Sequence, residues 1–278
     1  YRIDLEQFSA LISQNDLELT REGLMEYISD LHQRYKPRTV KRKIASVKAF
    51  CGYLEYEEFA KENPFSRLRL KLNPPLILPR TIPLSVIEAV LTAAYQAREE
   101  ARTSEQQKSV LRDIAVLELL FATGVRVSEL CALQYGDVRL EEGKIKIYGK
   151  GAKERFVQIA NQDVLSALCH YRENYMDAIE QAGAFFVNRS RRPLSTQSVR
   201  GIVNKYCKLA GVESHITPHM FRHSFATLLL DEGVDIRYIQ QMLGHSSIVT
   251  TQIYTHVTGK KQRDILSQKH PRNRIHSM

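Results

Sequence analysis

Between residues 138 and 159 the chain reads VRLEEGKIKIYGKGAKERFVQI, and apolar side chains alternate with polar ones along most of it. Alternation with a period of two is typical of strands that bury one face. Two turn-forming runs, EEG at 141–143 and GKG at 149–151, divide the stretch into three short segments. The pattern therefore predicts a small antiparallel sheet of three strands.

Outside this stretch the apolar residues recur with the helical period. Before the sheet, the pattern predicts helices near 5–12, 24–31, 39–54, 84–97, 110–121 and 127–133. Thr20 and Thr39 are the predicted N-caps of the second and third of these helices. The polar segment 98–108 is expected to be exposed, and after the sheet the chain returns to helix, with a run near 195–210 and capped helices from Thr217 onward. The predicted fold class is mainly α with a small three-stranded antiparallel sheet.

A proline-rich segment divides the chain. Residues 73–83 read NPPLILPRTIP, with four prolines in eleven residues, a composition that cannot continue a helix. We predict an extended linker at 74–83 between a helical domain at 1–73 and a second domain at 84–259. A basic tail, 260–278, follows.

Composition restricts the function classes. The 278 residues include 40 Lys and Arg against 31 Asp and Glu, a formal charge of +9 that is typical of proteins that bind a polyanion. No run approaches the roughly 18 apolar residues of a membrane span, and no secretory signal is visible. We expect a soluble, cytoplasmic protein.

Positive charge concentrates in residues 34–48, which contain no acid. On the helix predicted there, the apolar stripe leaves most of the basic side chains off the buried face, where they can contact phosphates. A solvated charged surface without a partner is the alternative, but the missing acids favour DNA. The candidate DNA-binding residues are Lys36, Arg38, Lys41, Arg42, Lys43 and Lys48.

Two positively charged candidates flank glycines. Gly124 is predicted to end one helix and Arg126 to begin the next, where a guanidinium suits a bound anion; a surface arginine or a salt bridge to Glu129 is the alternative. Lys150 lies in the GKG turn, whose glycines permit close approach to a ligand, although an exposed turn lysine explains it equally. The spacing does not match a nucleotide-binding P-loop.

Four further candidates follow: two histidines, one arginine and one tyrosine. His219 and Arg222 share one face near a helix start capped by Thr217, where phosphate binds well; the alternative is a core histidine beside a surface arginine. The spacing of two histidines there resembles a zinc protease motif, but the required glutamate is missing, so no metal site is expected. His245 directly follows a helix that ends at Gly244, and Tyr254, taken alone, suits packing.

Taken together, these fragments resemble the tyrosine recombinases, the phage integrase family. The match spans about residues 84–256, in the family's order, and the N-terminal domain resembles the family's core-binding domain in size, helicity and charge. The compact length is most similar to Xer-type recombinases. The matching motifs are ATGVRVSEL at 122–130, GKGAKER at 149–155, TPHMFRHSFAT at 217–227, LGHSS at 243–247 and TQIYTH at 251–256.

The resemblance implies a two-domain clamp around DNA and a set of catalytic residues. That set is Arg126, Lys150, His219, Arg222, His245 and Tyr254. By this resemblance the two arginines hold the non-bridging phosphate oxygens, and both histidines hydrogen-bond the phosphate, with His219 as general base. No metal and no cofactor are implied.

The remaining two residues carry the covalent step that the family implies. Tyr254 attacks the phosphate and forms a 3′-phosphotyrosyl link, while Lys150 protonates the departing 5′ oxygen. The implied partners are double-stranded DNA with a specific site and further copies of the chain in a tetramer on two sites; a partner recombinase stays open. Integration, excision and resolution are not separated.

Two other functions stay open at this stage. A type IB topoisomerase shares the covalent chemistry but relaxes supercoils without a specific site. A DNA-binding regulator would use the helices around Gly244 as a helix-turn-helix reader and would need no catalytic set.

Overall fold

The computed structural model describes residues 1–14, 19–66, 68, 70, 80–149 and 154–244. The chain forms two compact units, unit 1 at residues 1–77 and unit 2 at residues 78–278. The division falls within the proline-rich segment. No helix in the described part of the chain is both long and apolar enough to cross a membrane.

Unit 1 is built from α1 (Arg2–Gln14), α2 (Arg21–Arg34) and α3 (Pro37–Tyr56). The Thr20 side chain accepts a hydrogen bond from the backbone N–H of Gly23, so the predicted cap of α2 is confirmed. The predicted cap of α3 is wrong. That helix begins at Pro37 rather than after Thr39, because the proline ring presets a helical φ and the first turn needs no donor from it.

The three helices bury one apolar cluster. At its centre, Phe8 and Tyr27 meet edge to face with their ring centroids 4.8 Å apart. The other buried members come from α2, α3 and the segment after α3: Leu24, Ile28, Leu31, Val40, Ile44, Val47, Cys51 and Phe65.

Unit 2 is mainly helical. Its helices are α4 (Leu84–Glu99), α5 (Ser104–Thr123), α6 (Val127–Cys131), α7 (Gln162–Ala182), α8 (Thr196–Leu209), α9 (Pro218–Asp231) and α10 (Ile236–Leu243). The helix α5 packs against α4, α7, α8 and α9. It is buried all round from Ile114 to Leu120, and the one acidic residue of this span, Glu118, accepts a hydrogen bond from the Tyr95 hydroxyl at 2.8 Å.

Only part of the polar segment 98–108 connects α4 to α5, because its last residues belong to α5. A capping box of Thr103 and Gln106 starts α5 at Ser104, earlier than the apolar period predicts. Residues 102–108 are exposed, as expected.

The predicted sheet is confirmed. Its strands are β1 (Val138–Arg139), β2 (Lys144–Tyr148) and β3 (Glu154–Gln158), in the order β1-β2-β3 with both pairs antiparallel. Ile145 pairs with Val138 on one side and Val157 on the other, so the apolar residues of all three strands share the buried face. The fold class is therefore mainly α with a small antiparallel sheet.

Candidate active site

Arg126 lies where α5 ends and α6 begins. Gly124 closes α5 with a φ of 59°, and a Cβ atom there would lie 2.7 Å from the Phe225 ring, so only glycine fits. Arg126 is the N-cap of α6, as the sequence predicts. Its Nη1 donates to Glu129 Oε1 at 2.7 Å, and its backbone N–H donates to Glu129 Oε2 at 2.9 Å. The salt bridge to Glu129 thus exists, and it leaves 34% of the Arg126 side chain exposed at a helix start.

Arg222, on α9, is buried rather than a surface arginine. Its Nη1 donates to the carbonyl of Gly124 at 2.8 Å, and its Nη2 donates to the carbonyl of Leu243 at 2.6 Å. Gly124 precedes Arg126 by two residues, and Leu243 ends α10. The Arg222 guanidinium therefore ties the end of α5 to the end of α10, beside the segment that carries Arg126.

His219 lies one turn before Arg222 on α9, and it is exposed. Partial desolvation and the positive charges of Arg200, Arg222 and Arg126 lower the pKa of its imidazole below 6.5. At neutral pH the ring is therefore uncharged, which is the form that can accept a proton. Arg200, on α8, lies in no motif, and sequence reasoning missed it.

A buried ion pair underlies Arg126. Arg155, on β3, donates from Nη1 to Glu129 Oε1 at 3.0 Å and from Nη2 to Glu129 Oε2 at 2.7 Å. Burial alone would raise the pKa of the Glu129 carboxyl, but the hydrogen bonds from Arg155 and Arg126 outweigh it and lower the pKa to about 2. The carboxylate thus stays ionised between two guanidinium groups. Arg155 lies inside a motif that marks the family resemblance, yet nothing in the sequence indicates its partner.

The described residues bring Arg126, His219 and Arg222 together in unit 2. Lys150, His245 and Tyr254 lie outside the described residues. The chain reaches the first of these from Gly149 at the end of β2, and the other two from Gly244, which closes α10 with a φ of 65°.

The basic surface on α3 partly matches the prediction. Lys36, Arg38, Lys41, Arg42 and Lys48 are exposed. The prediction that Lys43 points away from the buried face is wrong: Lys43 is 3% exposed, and its Nζ lies 3.2 Å from Asp4 Oδ1 on α1. Gln7 also accepts a hydrogen bond from Lys43, and Arg42 pairs with the same aspartate while staying largely exposed. A buried ammonium group needs such partners. Lys43 therefore lies inside unit 1 and is not part of its basic surface.

Comparison with known proteins identifies the family. The sequence profile described as the phage integrase family matches residues 88–261. A tyrosine recombinase of Agathobacter rectalis is 52% identical over 99% of this chain and 90% of its own length. The tyrosine recombinase XerC of Thermodesulfovibrio yellowstonii is 37% identical over 98% of this chain and 89% of its own length.

A solved structure extends the likeness to three dimensions. The XerH site-specific recombinase, in a pre-cleavage complex with its difH substrate, aligns with a TM-score of 0.76 and 25% identity, over 96% of this chain and 78% of that one. The sequence relatives and the fold therefore indicate the same family. The chain belongs to the phage integrase family and is a Xer-like tyrosine recombinase, a site-specific enzyme that cleaves and rejoins DNA strands.

Proposed function

We propose that this recombinase cleaves DNA with Arg126, His219 and Arg222 as the phosphate-binding group and Tyr254 as the nucleophile. The observation that carries the proposal is the convergence of these three residues from two elements, with Arg126 at the start of α6 and both His219 and Arg222 on α9. Arg222 bonds the carbonyl of Gly124 next to the Arg126 segment, and the charges of both arginines act on His219.

Each residue has a role that its environment suits. Two guanidinium groups oppose the charge on the non-bridging oxygens, where phosphoryl transfer depends most on electrostatic stabilisation. The neutral His219 takes the proton of the attacking tyrosine hydroxyl, and His245 donates a hydrogen bond to the phosphate. Lys150 protonates the 5′ oxygen as the P–O bond breaks.

The covalent link conserves the energy of the broken bond. Tyr254 Oη bonds to the phosphorus while the 5′ oxygen leaves, so one phosphodiester replaces another. Attack by the 5′ hydroxyl of another strand then releases the tyrosine, and no external energy source is needed. Between two sites this sequence of steps produces integration, excision or resolution.

In this proposal the two units have different roles, DNA binding and catalysis. Residues 1–73 form the core-binding domain, joined by the linker 74–83 to a catalytic domain at 84–259, and the exposed basic side chains of α3 contact the DNA backbone. The charge of these side chains and the absence of an acid between residues 34 and 48 support this assignment. We place the protein in the cytoplasm, with the DNA on which it acts.

Recombination needs copies of the chain on two sites, and we propose a homotetramer. An open groove of about 1520 Å³ beside Arg126 has apolar side chains in its lining, among them Phe121, Phe225 and Met242. The C-terminal segment of a neighbouring copy would bury these side chains and couple the active sites. Deletion of the residues after Gly259 should then weaken assembly on two sites more than binding to one site in gel-shift titrations; equal losses contradict the coupling.

A nicked duplex library tests the cleavage proposal. When the short strand beyond the cut diffuses away, rejoining stops and the covalent adduct accumulates. We expect protease-sensitive DNA adducts with the native chain and none with Tyr254→Phe, and sequencing of the trapped DNA identifies the site. Tight binding without adducts, even with candidate partner recombinases added, would favour a regulator; relaxation of supercoils without site preference would favour topoisomerase activity.

A further inference from the structure

Arg155 joins three elements that are next to candidate catalytic residues along the chain. It lies on β3, which begins four residues after Lys150 in the sequence. Its two terminal nitrogens bond both oxygens of Glu129 on α6, and its Nε donates to the carbonyl of Met242 on α10 at 2.9 Å. The side chain is 11% exposed. These contacts place one guanidinium group at the junction of β3, α6 and α10.

The contact with Glu129 reaches Arg126. Each oxygen of the carboxylate accepts one hydrogen bond from Arg155 and one from Arg126: Oε1 from the two Nη1 atoms, Oε2 from Nη2 of Arg155 and from the Arg126 backbone. While Arg155 holds both oxygens in this orientation, the Arg126 guanidinium donates only one hydrogen bond to them. Without Arg155, the carboxylate is free to rotate and to accept two hydrogen bonds from the Arg126 guanidinium. Arg126 would then have fewer donors left for a phosphate.

The contact with Met242 fixes the end of α10. The last carbonyls of a helix have no partner within the helix, and they form the negative end of its dipole. Arg155 donates a hydrogen bond to the carbonyl of Met242, and Arg222 donates one to the carbonyl of Leu243. A Cβ atom on Gly244 would lie 3.0 Å from Arg155 Cδ, so the chain also packs closely on this arginine as it leaves toward His245.

We propose that Arg155 is a positioning residue for DNA cleavage, which orients Arg126 through Glu129 and fixes the end of α10 from which the chain leads to His245 and Tyr254. The inference rests on the proposed function, because it concerns the geometry of the same phosphate site. In this role Arg155 acts through Glu129 and α10 and not as a catalytic residue.

Lysine cannot replace this arginine. Only the planar fork of a guanidinium reaches two carboxylate oxygens and a carbonyl at once, whereas an ammonium is a single point of charge. We therefore expect Arg155→Lys to share the defect of Arg155→Met. Arg172 is the matched control, since it pairs at 2.8 Å with the exposed Glu141 in the same unit and is not among the groups that bond Glu129.

The test measures single-turnover cleavage of a nicked duplex that carries the site trapped by the native chain. A second substrate has a methylphosphonate at the cut position, where a neutral methyl group replaces one charged oxygen. Misplacement of Arg126 matters most when that charge is present. A general loss of stability would slow both substrates alike.

We expect Arg155→Met to cleave the phosphate substrate about 100-fold more slowly than the native chain, with Arg172→Met within about twofold. DNA affinity should change less than about threefold in both variants. On the methylphosphonate, the ratio of native to Arg155→Met rates should fall below about tenfold. Should Arg155→Met lose its cooperative thermal transition, Arg155→Lys replaces it in the same comparison, with the same ratios expected.

Three results would overturn the inference. They are an equal ratio of native to Arg155→Met cleavage rates on the two substrates, cleavage by Arg155→Met as fast as by Arg172→Met, and a native cleavage rate in Arg155→Lys. Failure of the proposed function is distinguishable from these. In that case the native chain itself would give no adduct that depends on Tyr254.

Discussion

Replacement of Glu129 by glutamine tests the buried charge cluster under Arg126. The carboxyl pKa is held at about 2, against 4.5 for an unperturbed glutamate. At about 1.4 kcal/mol per pH unit, this difference stabilises the native state by about 3 kcal/mol at neutral pH. The breaking of a buried ion pair costs a similar amount, since two guanidinium groups lose their counter-ion. We expect Glu129→Gln to lower the free energy of unfolding of unit 2 by about 3 kcal/mol.

The pH dependence of this loss follows from the sign of the pKa shift. The native pKa lies below the unfolded one, so the carboxylate contributes its full stability above about pH 4.5 and loses it as the pH falls toward about 2. Glutamine does not titrate. The difference between the native chain and Glu129→Gln should therefore be constant at neutral pH and shrink below about pH 4.5.

Hydrogen exchange measures this difference within unit 2. The buried amides of α5, from Ile114 to Leu120, exchange through opening of that unit, and their protection gives its free energy. The control is Glu142→Gln, whose carboxylate is exposed and lies 3.4 Å from Arg139, and it should change the free energy by less than about 1 kcal/mol. A loss in Glu129→Gln no larger than the control's, or one that persists unchanged at about pH 3, would refute the reasoning.

Three further predictions have defined outcomes. Arg200→Ala removes a positive charge that lowers the pKa of His219, so the acidic limb of the cleavage pH profile should move to higher pH; an unmoved limb contradicts His219 as the base. Lys41→Ala should reduce the slope of log affinity against log salt by about 1 in DNA titrations, while the buried Lys43→Met should leave the slope unchanged and lower the melting temperature; the reverse pattern would contradict the assignment of the α3 surface. Gly124→Ala forces a side chain into a left-handed conformation against an aromatic ring and should destabilise unit 2 by at least about 1–2 kcal/mol by hydrogen exchange; a neutral effect would contradict the packing there.

Local patterns were sufficient for much of the fold. The alternation between residues 138 and 159 predicts the sheet, because a strand with one buried face has apolar residues at every second position. The predicted start of α3 is wrong because a proline at the first helical position and a threonine cap give competing signals. The pattern predicts helix after the sheet but does not give the bounds of α7, although Asn161 is a residue type that favours an N-cap.

The site was predictable where a motif marked it and unpredictable where long-range pairing decided it. Arg126 could be placed at a helix start from Gly124 alone. The apolar stripe of its helix predicts Lys43 at the surface, but the side chain pairs with Asp4, 39 positions away in the sequence. Arg155 reaches Met242 across 87 positions, a distance over which spacing carries no information.

The most direct measurement identifies the amino acid in the covalent adduct. The adduct trapped on a nicked site is digested with protease and nuclease, and mass spectrometry locates the residue that carries the nucleotide. We predict a nucleotide joined through its 3′ phosphate to Tyr254, with none formed by Arg126→Ala or Arg222→Ala at comparable DNA occupancy. A nucleotide on another residue, or an undiminished yield of adduct from both arginine variants, would contradict the proposed site.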